Sequence, residues 1–134
     1  MPIYNVVTAL NVVSDEQKAG LAADITRIHS EITGAPTSFV HVTFNELSGT
    51  NIYSDSVPSQ PLLITGITRA GRADREKAEL AKAVSSAAAH VTGVPEKRIL
   101  VVITDHPARF AVERGRILPE PGVEDDWLDE QAKP

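Results

Sequence analysis

A repeat and the periodicities inside each copy predict a two-layer α/β protein (an α+β sandwich): a four-stranded sheet with two helices on one face. Thr33-Gly-Ala-Pro36 matches Thr92-Gly-Val-Pro95, a displacement of 59 positions (95 − 36). Kept without gaps, that displacement sets Pro2 on Pro61, Asp15 on Asp74, Lys18-Ala19 on Lys77-Ala78, Leu21-Ala22 on Leu80-Ala81 and Val42 on Val101. Chance rarely aligns so many residues, so the chain reads as one unit duplicated. Each unit runs strand, helix, strand, which favours a right-handed parallel crossover. The expected organisation is a single domain over 1–134. Two fused β-α-β units occupy about 2–47 and 61–107, and a C-terminal extension covers 108–134. A chain of 134 residues has room for a real core.

The elements follow in order. Ile3 to Leu10 is rich in β-branched residues and ends in a polar turn, the pattern of a strand. Ser14-Asp-Glu-Gln17 has capping-box spacing, in which Ser and Gln satisfy free N–H groups at a helix start. Leu21, Ile25, Ile28 and Ile32 recur at helical spacing, and Gly34 and Pro36 stop the helix. Phe39 to Leu47 alternates, with Val40, Val42 and Phe44 on one face and His41 and Thr43 on the other. Ser48 to Gln60 is a turn-rich connector with a short strand near Asn51-Ile-Tyr53. Pro61 to Thr68 reads as a strand. The next helix starts near Ala73-Asp74, with a stripe at Leu80, Val84, Ala87 and Val91. Gly93 and Pro95 stop it, and Arg98 to Thr104 is an apolar strand. Beyond the repeat, Ala108 to Arg114 fits a short helix, and Gly115 and Pro119-Glu-Pro-Gly122 signal turns. Trp127 is expected to anchor the tail, with Asp129 to Pro134 fraying. The sheet's second face carries Val and Ile, so an oligomer that buries it is expected.

Composition narrows the function. A net charge of −5 argues against general nucleic-acid binding. The absence of cysteine excludes disulfides and Cys-based metal or nucleophile chemistry. No apolar stretch is long enough to span a bilayer, and Met-Pro-Ile-Tyr-Asn is not a charged signal region. The expected location is the cytoplasm, with no membrane partner. His41, His90 and His106 lack metal-ligand spacing and read as structural or surface residues; no P-loop, Rossmann fingerprint or G-x-S-x-G occurs. In this acidic chain Arg69, Arg72 and Arg75 cluster, and so do Arg109, Arg114 and Arg116. Such clusters suit anions, although a solvated helix start and a surface loop account for them equally well.

Pro2 has its own chemistry. Removal of an initiator Met favours a small second residue and here would expose a secondary amine. A free α-amino group, with a reference pKa of about 7.7–8.0, works as acid or base near neutrality. The pyrrolidine ring fixes its direction.

Paired β-α-β units with Pro2 at the amino terminus resemble the tautomerase superfamily, and within it cis-3-chloroacrylic acid dehalogenase and its homologues. The resemblance rests on His29 with Ile32-Thr-Gly34, Gly66-Ile-Thr-Arg-Ala-Gly-Arg72, Pro107-Ala108, and Val112-Glu-Arg-Gly-Arg116 leading to Leu118-Pro-Glu-Pro-Gly122, extended by Glu124 and Trp127. It implies a cofactor-free enzyme and a homotrimer of fused chains. Pro2 would be the central catalyst, Arg69 and Arg72 would bind a small carboxylate substrate, His29 would assist, and Glu113 would activate water. A planar guanidinium fork suits a carboxylate. Two guanidinium groups beside an amine disfavour its cation, while a carboxylate favours it. Phe39 is a candidate pocket wall. Arg75 reads as solvated, and Arg116 as an ion-pair anchor for the C-terminal segment. The family's Tyr on the strand after the second helix is matched here by Val102, which cannot hydrogen-bond. Tautomerisation of a 2-oxo carboxylate through enol and keto forms is therefore expected first, and hydration or dehalogenation of a cis-3-haloacrylate second. A non-catalytic anion-binding or assembly module is the alternative outside enzymes.

Overall fold

The structure, a computed structural model that describes residues 1–133, places eleven elements along the chain. They are β1 (Ile3–Ala9), α1 (Asp15–Thr33), β2 (His41–Leu47), β3 (Tyr53–Ser54), β4 (Val57–Pro58), β5 (Leu62–Arg69), α2 (Asp74–Thr92), β6 (Ile99–His106), β7 (Val112–Glu113), β8 (Arg116–Ile117) and α3 (Asp125–Gln131). The main sheet has the order β2-β1-β5-β6. Within each unit the strands are parallel, as a helical crossover requires, and the units join through the antiparallel pair β1–β5. The two-layer α+β expectation holds.

The helices form for the reasons read from the sequence. Ser14 Oγ accepts from the Gln17 N–H, and the Gln17 side chain accepts from the Ser14 N–H, completing the capping box of α1. Its copy α2 has Ala73 at the N-cap position, with no side chain able to cap. Both helices end at a glycine with φ of 76° (Gly34 and Gly93), a left-handed conformation that other residues resist. Leu21, Ile25, Leu80 and Val84 are buried against Tyr4, Val6, Leu62 and Ile64 of the central strands. On α2 the fully buried line runs through Ala88, with Ala87 and Val91 partly buried beside it. Gly66 gives the Tyr4 ring its place: a Cβ there would lie 2.6 Å from Tyr4 Cε1.

Register corrects the repeat in one respect. Tyr4 pairs with Val42 and Ile64 pairs with Val101, so Tyr4 corresponds to Ile64 and Pro2 to Leu62 rather than Pro61. The first unit has one more residue between strand and helix than the second. Strand parity cannot absorb a one-residue slip without turning the core face outward, so the extra residue sits in the connection.

The C-terminal region differs more. The segment Ala108 to Arg114 is not a helix. A single 3-10 turn (Ala108–Phe110) leads into the β7–β8 ribbon, whose turn residues Arg114 and Gly115 both have positive φ. Residues 129 to 131 do not fray but belong to α3, and Pro134 lies outside the described residues. Trp127 is the expected anchor: it is 4% exposed and donates Nε1–H to the Ile117 carbonyl at 3.1 Å. It belongs to a second small core with Met1, Phe39, Ala108 and Leu118. Arg116 pairs with Glu130 of α3, as its anchoring role predicts. In the connector the short strand pairs as a ribbon, β3 with β4.

The face of the sheet away from the helices is open. Pairing sets His41, Ile3, Ile67 and Thr104 in one row across it, then Thr43, Asn5, Thr65 and Val102, then Asn45, Val7, Leu63 and Leu100. Ile3, Ile67, Leu100 and Val102 are all exposed there. No helix among the described residues is long and apolar enough to cross a membrane.

Candidate active site

A cavity of about 450 Å³ opens at the end of the open face that carries the chain's amino terminus. Met1, Ile3 and His41 form one side, Ile67 and His106 the floor, and Glu113 and Leu118 the wall beside the β7–β8 ribbon. The N-terminal ammonium donates to Glu113 Oε1 at 2.8 Å, and His41 Nε2 lies 3.3 Å from the same oxygen. Burial pushes the Glu113 carboxyl up, but the ammonium and His41 outweigh it, and the group ends below the usual carboxylate value. The amine belongs to Met1, so the Pro2 nitrogen is an amide; Pro2 is buried, and its carbonyl accepts from the His41 N–H at 3.1 Å.

Behind this cavity lies a buried polar cluster. His29, on the core side of α1, is fully buried. Its partner is a side chain, Tyr4 Oη, 2.8 Å from Nδ1. Burial, then the charges of Arg72, Arg69 and the amino terminus, push the imidazole down to about 3, so it is neutral. Burial likewise raises the Tyr4 phenol, with Arg72 opposing. Arg72 donates to Thr68 Oγ1 and to the Arg69 carbonyl. Three buried nitrogens of this cluster have no hydrogen-bond partner among the described residues: His29 Nε2, Arg69 Nε and Arg72 Nε.

Arg69 differs from the expectation of an open carboxylate fork. It is fully buried, with Nη1 donating to the Pro119 carbonyl and Nη2 to Glu124 Oε1, each at 2.7 Å. Its guanidinium lies 5.1 Å from the centre of the Phe39 ring. The physical reason is the C-terminal segment: Gly122 N–H also donates to Glu124 Oε1, which fixes that carboxylate on the arginine. Phe39 does not line the cavity; it is 1% exposed and packs edge-on against Trp127 at 5.2 Å. Arg75 is solvated and pairs with Glu79.

Pro2, Glu113, His29, Arg69, Arg72 and Phe39 thus fall at one end of the sheet, though only Glu113 of the six lines the cavity. The reading of single residues missed His41 and His106, both in its walls. The available signal for His41 was parity: it stands on the face opposite Val40 and Val42, at the start of the strand beside Pro2. Among the described residues no group of His, Asp and Glu is arranged to hold a metal.

Comparison with known proteins identifies the family and the fold. Residues 1–132 match the family Tautomerase_3, described as "Putative oxalocrotonate tautomerase enzyme". No curated protein sequence matches. Native Ps01740 shares 34% identity over 83% of this chain and 99% of its own, with a TM-score of 0.81. N1, a member of the cis-3-chloroacrylic acid dehalogenase family, shares 28% identity over 98% of this chain and 92% of its own, with a TM-score of 0.92. The R7 fused 4-OT asymmetric trimer shares 29% identity over 86% and 94%, with a TM-score of 0.79. With the family matched over nearly its whole length and the fold shared, the chain belongs to the Tautomerase_3 family of the tautomerase superfamily.

Proposed function

We propose that the protein is a cofactor-independent tautomerase that uses its terminal amine, Pro2 once Met1 is removed, as acid and base on a small 2-oxo carboxylate. The observation that carries this reading is where the chain begins: the Met1 ammonium lies in a cavity, 2.8 Å from the Glu113 carboxylate, and Pro2 is the residue bonded to it. The buried Met1 side chain packs against Phe39, Ala108 and Leu118, so its removal would join that space to the cavity and bring Phe39 towards a substrate. Arg72 Nε, Arg69 Nε and His29 Nε2 lie behind the cavity rather than in its walls, without partners among the described residues, and in this reading they meet the substrate carboxylate once Met1 is removed. Neutral Pro2 takes the enol hydroxyl proton and returns a proton to carbon, giving the keto acid; positioning and general base catalysis suffice for this step.

A second reading, hydration or dehalogenation of a cis-3-haloacrylate, draws on Glu113. Its Oε2 makes no hydrogen bond among the described residues and is free to orient water. The amine then acts as a proton donor. Val102 lies outside the cavity walls and gives no help. For assembly, the exposed Ile3, Ile67, Leu100 and Val102 and the trimeric state in the name of R7 fused 4-OT support a homotrimer that buries the open face.

The test is ketonisation of enolic phenylpyruvate followed by ultraviolet absorbance, with Pro2→Ala and Arg72→Ala alongside. Chloride release from cis-3-chloroacrylate and the intact mass are measured in parallel. Ketonisation lost in both variants, with Met1 removed, supports the tautomerase. Fast chloride release favours the second reading. Neither activity in protein lacking Met1 overturns both and leaves an anion-binding or assembly module.

A further inference from the structure

We propose that His41 is a positioning residue for Glu113, holding its carboxylate at the cavity wall while the terminal amine changes charge. This deepens the functional reading above and rests on its assignment of Glu113 to the reaction.

Glu113 is poorly placed to hold itself. It stands at the end of β7, in a ribbon of two residues per strand just before the positive-φ pair Arg114 and Gly115. The ribbon is anchored through β8, by Trp127 to the Ile117 carbonyl and by Arg116 to Glu130, whereas the Glu113 carboxylate on β7 is held by its own side-chain contacts to the main sheet. Two ties exist, and both end on Oε1: the N-terminal ammonium at 2.8 Å and His41 Nε2 at 3.3 Å. Other charged or titratable groups nearby are His106, across the cavity, and Arg116, the register partner of Glu113, whose guanidinium pairs with Glu130.

The two ties are unequal in one respect. The ammonium in the first tie is that of Met1 and leaves with Met1, and the Pro2 amine exposed in its place is cationic only between taking a proton and returning it. His41 sits outside that cycle. A carboxylate only accepts, so Nε2 carries the proton in this contact and donates whether or not the ring is charged. His41 stands on the main sheet, its N–H tied to the Pro2 carbonyl, and the same strand pairing that seats the N-terminus seats the imidazole. Oε2 stays free for water or substrate. His41 thereby supplies the hydrogen bond to Glu113 that Val102 cannot.

Because the His41 side chain is about half exposed, its truncation leaves the core untouched. The experiment compares His41→Ala and His41→Gln, each in the wild-type and Glu113→Gln backgrounds. Steady-state ketonisation and haloacrylate turnover are read together with carbon-13 NMR titration of the Glu113 carboxyl. His41→Ala should lower kcat about tenfold with KM within about threefold, the loss expected for one hydrogen bond that aligns a reacting group. His41→Gln, which keeps an N–H donor, should recover to within about threefold. In the Glu113→Gln background His41→Ala should add nothing, because the two residues act as one unit. The Glu113 titration midpoint should rise in His41→Ala.

An unchanged kcat in His41→Ala, or an equal loss in the Glu113→Gln background, overturns the proposal. If the wild-type protein turns over neither substrate, the functional reading fails separately and the titration alone decides. A midpoint that rises in His41→Ala then supports the tie between His41 and Glu113, and one that does not move overturns it.

Discussion

The neutral imidazole buried on α1 makes acid stability measurable at one residue. His29 falls from its ordinary 6.5 to about 3 in the folded chain, through burial and then the neighbouring Arg72, Arg69 and amino terminus. The folded state therefore refuses a proton that the unfolded chain accepts once the pH drops below 6.5. The sign follows: stability is fully present above 6.5 and is lost progressively as the pH falls towards 3. Between pH 7.5 and pH 5 the unfolded chain gains about 1.5 pH units of protonation that the folded chain lacks, a loss of about 2 kcal/mol. Glu113 and Glu124 both end below the usual carboxylate value, so they stay ionised throughout this window and do not mask the effect. Urea unfolding at pH 7.5 and 5.0, at one protein concentration, measures it. His29→Gln, which keeps a polar partner for Tyr4 and cannot titrate, should lose about 2 kcal/mol less than wild type over the same interval. Equal losses in both proteins would refute the claim that His29 is buried uncharged.

Three further outcomes test the packing. Gly66→Ala drives a methyl to 2.6 Å from Tyr4 Cε1 and 3.0 Å from Ile103 Cδ1, inside a filled core. It should cost about 1–3 kcal/mol by urea unfolding. Ser14→Ala removes the Oγ that accepts from the Gln17 N–H, leaving the backbone N–H that donates to the Gln17 side chain, and should cost about 1 kcal/mol, whereas Ala73→Ser, which offers α2 the cap it lacks, should stabilise by a similar amount. Glu124→Ala leaves the fully buried Arg69 guanidinium with the Pro119 carbonyl but no carboxylate. Breaking a buried pair on one side costs about 3–5 kcal/mol, and hydrogen exchange should rise first in α3 and the Pro119–Gly122 turn.

The amino-acid order fixes local events, and those were readable without coordinates. Ser14 and Gln17 cap α1 because their side chains reach the free N–H groups of their own first turn. Gly34 and Gly93 end the helices because φ of 76° suits glycine. The alternation from Val40 to Phe44 sets which residues of β2 face the helices. The duplicated pattern then leaves few ways to arrange two β-α-β units, and the resemblance singles out Pro2, His29, Arg69, Arg72 and Glu113 as candidates.

Tertiary packing decided the rest, because it joins residues that no periodicity connects. The slip that puts Pro2 opposite Leu62 depends on strand register, which a gapless comparison cannot see. Arg69 is a free guanidinium on paper and a buried, occupied one in the fold, since Pro119 and Glu124 return to it from 50 and 55 residues away. Glu113 meets the amino terminus across 112 residues, and His41 meets Glu113 across 72. Local sequence cannot encode such meetings by itself. They arise when the central strands β1 and β5 pair, the helices cover one face, and the C-terminal segment folds back over the end of the sheet where the chain begins.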